Sequence, residues 1–340
     1  MATASRVAVT GITGHLGYVI ATQLIAKGYV VRAIARDVKR ARNMSWITQH
    51  PFDLVQADMT DQEAMEEALE GMDGLFHSAA VFDVTSRNPD RDVVQQNIGG
   101  TERTLSAAVA NNVRKVIYTS SLAAVGTSRT PDEWRDESNW NDQSPEHYAR
   151  SKALSERKAW AIARRFQLDL VTALPATMLG PAFHKLNPSL GLIQSGLMGE
   201  FPLAPRIHLN FVDVRDVADA HIRLYESDRA RGRYILANET LSALEVLRTM
   251  KQMRPEISIP QRQMPLWLAR IFPVMDSLSH HFTHQPRRMT SGFMKEYAGK
   301  YQAVRSDRMK EEFGWSPRDF RLTLEDTIRW FEQATIEGRG

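Results

Sequence analysis

The chain contains no cysteine. Disulfides, thiolate zinc sites and cysteine nucleophiles are therefore excluded, and so is an alcohol dehydrogenase that holds zinc through cysteine. No apolar run reaches the roughly 18 residues that a membrane span needs. The first residues, Met-Ala-Thr-Ala-Ser-Arg, lead straight into Val7, Ala8 and Val9 without the apolar stretch of a signal peptide. A cytoplasmic location without a membrane span is the expectation. Excess charge is missing too: 43 Lys and Arg stand against 40 Asp and Glu, a formal net charge of +3. Nucleic acid selects a clustered basic patch, so no such partner is expected. Repeats and low-complexity segments are also lacking. What is present is a chain of 340 residues, 43% hydrophobic and 24% charged. It has room for a large core, as one large domain with a smaller lobe or as two domains.

The first half alternates short β-branched runs with helical patterns. Strands are expected at residues 6–10, 29–35, 53–57, 74–78, 115–120 and 169–174, and helices at 15–27, 38–49, 62–69, 90–111 and 146–166. Such alternation predicts a parallel sheet covered on both faces. Right-handed crossovers make it an α/β, doubly wound fold. After Pro175 the pattern changes, and Pro181, Pro188, Pro202 and Pro205 mark a loop-rich region. A strand at 211–213, a helix at 214–226 and a strand at 233–237 then read as a return to the sheet. The end is helical. The expected division is a body of residues 1–175 plus 211–238 and a smaller, mostly C-terminal α/β lobe of 176–210 plus 239–340.

The run Thr10-Gly11-Ile12-Thr13-Gly14-His15-Leu16-Gly17 follows the first strand and opens the first helix. The first two glycines allow a tight turn and close approach to a pyrophosphate, and the third allows helix and sheet to pack closely. The helix N-terminus offers N–H groups and a positive dipole end. The body is thus expected to bind a dinucleotide, in the manner of a Rossmann fold, and the lobe to bind substrate. An acid at the end of the second strand would bind the ribose 2′-hydroxyl of NAD. Ala35 stands there instead, followed by Arg36, with Arg32, Lys39, Arg40 and Arg42 nearby. Arginine pairs with a 2′-phosphate, so NADP(H) is favoured over NAD(H). Asp37 argues the other way, since a shifted register would bring it to the ribose.

Asp58 and Met59 close the third strand. Asp58 is suited either to the adenine amine or to capping the next helix, where Thr60 and Glu63 have capping-box spacing. After His77 and Ser78, Ala79 and Ala80 are small enough to let backbone approach a ribose. His77 itself is expected to be packed. Tyr148 and Lys152, in His-Tyr-Ala-Arg-Ser-Lys, are four apart and share one helix face. An ammonium beside a phenol favours the phenolate, which suits a proton donor or acceptor near neutral pH.

Taken together, these residues resemble the extended short-chain dehydrogenase/reductase family. The resemblance spans nearly the whole chain. It rests on the glycine loop, Asp58, Asn97, Tyr118-Thr-Ser-Ser121, Tyr148–Lys152, Pro175, Gly180-Pro181, the run from Asn210 to His221, and Phe313-Gly-Trp-Ser-Pro317. Within the family the chain looks most like dihydroflavonol reductases, cinnamoyl-CoA reductases, related aldehyde/ketone reductases and 3β-hydroxysteroid dehydrogenases. The resemblance implies a catalytic set of Ser121, Tyr148 and Lys152. Ser121 would hold the substrate oxygen, Tyr148 would transfer the proton, and Lys152 would hold the nicotinamide ribose and lower the Tyr148 pKa. Ser120 competes for the serine role. Pro175 and Thr177 would add cofactor contacts. Phe82, Met178 and Phe183 would touch an apolar or aromatic substrate. The long helices at 90–111 and 146–166 correspond to those that form a dimer interface in many members, which implies a homodimer.

Departures from the family narrow the reaction. Leu122 and Ala123 stand where sugar-nucleotide dehydratases carry an acidic pair. The asparagine-rich signature of cinnamoyl-CoA reductases is absent before Lys152. An NADP-dependent oxidoreductase that interconverts a carbonyl and an alcohol survives best. An NAD-dependent hydroxysteroid-type dehydrogenase and a non-catalytic NADP-binding sensor or scaffold remain open. His280, His281 and His284 lack an obvious fourth ligand, so no metal is expected. The apolar stripe Leu266, Trp267, Ile271, Phe272 and Met275 reads as core, with a greasy substrate entrance or a membrane-surface contact as the alternative.

Overall fold

The structure is a computed structural model that describes residues 5–83, 86, 88–182, 184, 188–269 and 290–336. Its first part runs β1 (Arg6–Thr10), α1 (His15–Ala26), β2 (Val30–Ala35), α2 (Val38–Arg42), α3 (Ser45–Thr48), β3 (Asp53–Gln56), α4 (Gln62–Leu69) and β4 (Gly74–His77). It continues with α5 (Gln96–Ala110), β5 (Lys115–Thr119), α6 (His147–Phe166), β6 (Asp169–Pro175) and β7 (Thr177–Leu179). Then come α7 (Pro188–Leu197), β8 (His208–Asp213), α8 (Val214–Glu226), β9 (Gly232–Leu236), β10 (Glu239–Ser242) and α9 (Ala243–Met253). The described chain closes with α10 (Ser291–Tyr297), α11 (Asp307–Phe313) and α12 (Phe320–Ile336). Among the described residues no helix is long and apolar enough to cross a membrane.

Seven strands form one parallel sheet in the order β3-β2-β1-β4-β5-β6-β9. Strand side chains alternate between faces, and β1 shows the consequence. Val7 and Val9 join the core under α1 and α8, while Ala8 joins the core under α4, α5 and α6. The inner strands are buried on both faces, which is why they read as apolar runs rather than alternating ones, whereas β3 at the edge is partly exposed. The strand order reverses between β1 and β4, and in such sheets ligands bind beyond the carboxyl ends at that point.

A second sheet, β10-β8-β7, stands apart, with β8 antiparallel to β10 and parallel to β7. Its core is shared with α7, α9 and α12, through Leu190, Ile193, Phe211, Leu247, Met250, Leu324 and Ile328. This corrects one expectation. Residues 211–213 do not return to the main sheet: they belong to β8, and the return is made by α8 against α1 and by β9 beside β6.

Three local differences have physical causes. The helix expected over 38–49 is two short ones, because the chain leaves helical geometry at Met44, whose extended backbone caps α3. The helix expected over 90–111 begins with a π-helical segment, Asp90–Gln95, that tightens into α5. Helix α4 is capped by Asp61, which accepts from the Ala64 amide at 3.1 Å, so Thr60 and Glu63 form no capping box.

Candidate active site

The residues singled out by sequence gather at the carboxyl ends of the parallel strands. The glycine loop follows β1, Arg36 follows β2, Asp58 and Met59 follow β3, Ala79 and Ala80 follow β4, and Ser121 follows β5. Pro175 ends β6, and Thr177 and Met178 open β7 as half-buried residues.

Gly11 has φ 74°, and a Cβ there would lie 3.0 Å from the Ala79 amide nitrogen. A Cβ on Gly17 would overlap the Gly11 carbonyl group. Loop, helix and β4 therefore approach one another as only glycine permits. Thr10 fastens the same corner. Its Oγ1 accepts from the Ser78 and Ala79 amides, each at 3.1 Å, and its hydroxyl donates to His77 Nδ1 at 2.9 Å. Burial lowers the His77 pKa to about 3, which keeps the ring neutral and able to accept. No side chain caps α1 at Gly14, and no acid lies in its first turn, which contains Leu16. Thr13 and Gly14 are exposed beside it. His15 turns away, with Nε2 2.7 Å from the Pro181 carbonyl oxygen. An uncapped helix end beneath a glycine cradle fits a pyrophosphate.

At the end of β2, Arg36 and Arg40 are exposed, and their guanidinium groups bond to no described side chain. Arg32 is removed from this group: its guanidinium pairs with Asp53 at 2.8 Å and bonds to the Ala68 and Glu70 carbonyls. Asp37 is occupied as the N-cap of α2, accepting from the Arg40 amide at 2.9 Å. Asp58 accepts from both the amide and the hydroxyl of Thr60, at 2.8 and 2.7 Å.

Ser121 and Tyr148 come together from different elements. Ser121 Oγ accepts from the Ala123 amide at 3.1 Å and starts a short 3-10 turn, Leu122–Ala124. Its hydroxyl lies close enough to the Tyr148 phenol to pull that pKa down. Ser120 faces the other way and donates to the buried carboxylate of Glu156 at 2.7 Å. Glu146 caps α6 through the Tyr148 and Ala149 amides, at 3.1 and 2.6 Å, and so sets the turn that presents Tyr148. Phe82, 40% exposed, packs edge-on to the Tyr148 ring with centroids 4.7 Å apart. Asn97 holds the Phe82 loop to α6, since it bonds both polar groups of Val81 and the Ser151 hydroxyl.

Burial dominates the electrostatics of both Tyr148 and Lys152. Burial pushes Tyr148 up to about 12, the Ser121 hydroxyl pulls it down, and the Glu146 carboxylate raises it. Lys152 is anchored beside the site, where its Nζ donates to the Thr119 carbonyl at 3.0 Å. Burial lowers Lys152 itself to about 8, against the opposing attraction of Glu156. Phe183, His280, His281, His284, Ile271, Phe272 and Met275 lie outside the described residues.

Two groups at the site escaped the sequence reading. Glu156 is four residues beyond Lys152, so helical spacing could have placed it on the same face. Its partner Arg233 comes from β9, and nothing local signals that pairing.

Comparison with known proteins agrees with this geometry. Residues 7–237 match the NAD dependent epimerase/dehydratase family. A cinnamoyl-CoA reductase of rice (Oryza sativa subsp. japonica) is 33% identical over 261 residues, 73% of this chain and 76% of that protein. A bifunctional dihydroflavonol 4-reductase/flavanone 4-reductase of apple (Malus domestica) is 30% identical over 277 residues, 75% of this chain and 78% of that protein. The crystal structure of yeast methylglyoxal/isovaleraldehyde reductase Gre2, complexed with NADPH, superposes with a TM-score of 0.77. It is 20% identical and covers 98% of this chain and 100% of its own, a likeness of fold. The chain belongs to the NAD dependent epimerase/dehydratase family, and it is an oxidoreductase that uses a nicotinamide dinucleotide.

Proposed function

We propose that the chain is an NADPH-dependent reductase of an aldehyde or ketone, with Ser121, Tyr148 and Lys152 as its catalytic residues. The observation that carries this reading is the hydroxyl pair of Ser121 and Tyr148 at the end of β5, on the same sheet edge as the glycine cradle after β1. When bound, the cofactor supplies a hydride to the carbonyl carbon. The residues of the chain manage the oxygen. Ser121 donates to it and polarises the bond. Tyr148 gives its proton as negative charge develops on the oxygen, or takes it back when an alcohol is oxidised. Lys152, buried and anchored on Thr119, holds positive charge close to the site.

Gly11 and Gly14 would take the pyrophosphate with the amides of the first turn of α1, which Gly17 lets lie close to the loop. Arg36 and Arg40 would take a 2′-phosphate, Asp58 and Met59 would flank the adenine, and Ala79, Ala80, Pro175 and Thr177 would line the ribose and nicotinamide path. Phe82 and Met178 favour an apolar or aromatic substrate. Leu122 and Ala123 are buried and carry no acid, which supports carbonyl reduction over dehydration. We also propose a cytoplasmic homodimer that pairs through α5 and α6, and a division of labour between the parallel sheet and the lobe built on the second sheet.

Tyr148→Phe tests the assignment. It is expected to lower NADPH-dependent turnover by about 100-fold or more while NADPH still binds. Undiminished turnover across aliphatic aldehydes, aryl ketones, β-keto compounds, flavonoids and steroids would remove Tyr148 from the mechanism.

A further inference from the structure

Behind the proposed catalytic face lies a buried ionic cluster that the chemistry described so far does not use. Glu156 is fully buried and Arg233 is 7% exposed. Arg233 grips both carboxylate oxygens, at 2.7 and 3.1 Å. The same carboxylate accepts from Ser120 at 2.7 Å and from Thr172 at 2.8 Å, with Trp160 Nε1 at 3.3 Å. The second arm of Arg233 donates to the Glu137 and Asn139 carbonyls, at 2.6 and 2.7 Å, in the stretch that leads to α6. Trp140 is covered on its faces by Arg233 and Arg157, at 3.7 and 3.9 Å. One carboxylate thus ties the ends of β5, β6 and β9 to the segment that delivers Tyr148.

A buried ion pair is a poor source of stability, since well-packed apolar residues often serve as well. Its value here is positional. We propose that Glu156 and Arg233 are positioning residues of the reductase: they fix Ser120, and so aim the adjacent Ser121 hydroxyl at Tyr148, and they keep a carboxylate one helical turn from the Lys152 ammonium. The inference rests on the carbonyl-reductase reading above. Tyr148 and Glu156 stand one helical turn to either side of Lys152 on α6, Glu156 attracting its ammonium; His77 faces it from β4, with Arg233 of β9 behind Glu156. His77 stays neutral, so Glu156 is the anion of the set.

Three variants test this by steady-state kinetics and pH profiles on the full chain. Ser120→Ala leaves the ion pair intact but cuts its link to Ser121. It is expected to lower kcat about tenfold with the KM for NADPH unchanged. Glu156→Gln is expected to do the same and to move the alkaline limb of turnover toward acid by about half a unit or more. Glu156→Leu combined with Arg233→Met removes both charges without leaving one buried alone, and is expected to fold and still lose kcat. Wild-type kcat in Ser120→Ala, together with wild-type kcat and an unmoved pH limb in the folded charge-free double variant, would overturn the proposal. Tyr148→Phe in the same assay separates the two failures. If it too is fully active, the reductase reading falls; if it is inactive while the others are normal, only the positioning role falls.

Discussion

Arg36 follows Ala35, which stands at the end of β2 where NAD-binding chains place an acid, and Arg36 is exposed. Asp37, which could have served the ribose, is occupied by the Arg40 amide. A charge-assisted bond to a phosphate is worth about 1.5–3 kcal/mol. Arg36→Ala should therefore weaken NADPH binding by about 10- to 100-fold and leave NADH binding unchanged, as read by titration of cofactor fluorescence. An unaltered preference would remove Arg36 as the reader of the phosphate. Lys152 carries a second prediction at this scale. Its folded pKa lies near 8, well below 10.5, because burial disfavours the ammonium. The charged form exists below that value, so reductive turnover should fall as pH rises through about 8, and saturating NADPH should not abolish the decline. The glycine loop, Arg36 and the Tyr148–Lys152 spacing were all legible in sequence, because each is a short-range pattern. The Thr119 anchor of Lys152 and the approach of Ser121 to Tyr148 were not, because they depend on how β5 and α6 come to rest against each other.

Helix α1 lies so close to the loop after β1 that Gly17 has no room for a side chain. Gly17→Ala should push α1 away from Gly11 and cost both stability and cofactor affinity. Helix α7 offers the contrast. Gly191 lies within it, and a Cβ there would meet nothing within 4 Å. Gly191→Ala should therefore raise stability by about 0.5–1 kcal/mol, the helix penalty of glycine, with turnover unchanged. Thermal melts of the two variants should move in opposite directions. If Gly17→Ala melts and binds NADPH as the wild type does, close loop–helix contact is not what that glycine provides. Elements were largely readable at this scale, because apolar periodicity reports which face is buried. What escaped were interruptions: the break between α2 and α3, and the π-helical start before α5. A π-helical turn shifts which face is buried without interrupting the apolar composition.

At the scale of the whole molecule, strand alternation announced the parallel sheet, but it could not say that β8 belongs to a second one. A three-residue apolar stretch is compatible with either sheet, and its partners, β7 and β10, lie far from it in sequence. Two buried histidines fasten the main sheet, His77 within β4 and His221 from α8, and they make the stability of the protein depend on pH. His77 joins β4 to β1 through Thr10. His221 joins α8 to β5: its Nε2 lies 3.0 Å from the Thr119 hydroxyl, and its Nδ1 lies 2.8 Å from the Val217 carbonyl. Only a neutral ring can donate to the carbonyl and accept from the hydroxyl. Burial lowers the folded pKa values from 6.5 to about 3 and about 4. The unfolded chain therefore binds these protons first as pH falls. Stability is fully present above 6.5 and is lost between 6.5 and the folded values, by about 1.4 kcal/mol per pH unit for each ring. At pH 5, where most carboxylates are still ionised, the two rings together should withdraw about 4 kcal/mol. Urea denaturation at pH 7.5, 6 and 5 would measure the loss. In His221→Gln the slope against pH below 6.5 should be shallower by about 1.4 kcal/mol per unit, even though that variant is less stable at pH 7.5. An equal slope in the two proteins would mean that His221 is not held neutral by the fold.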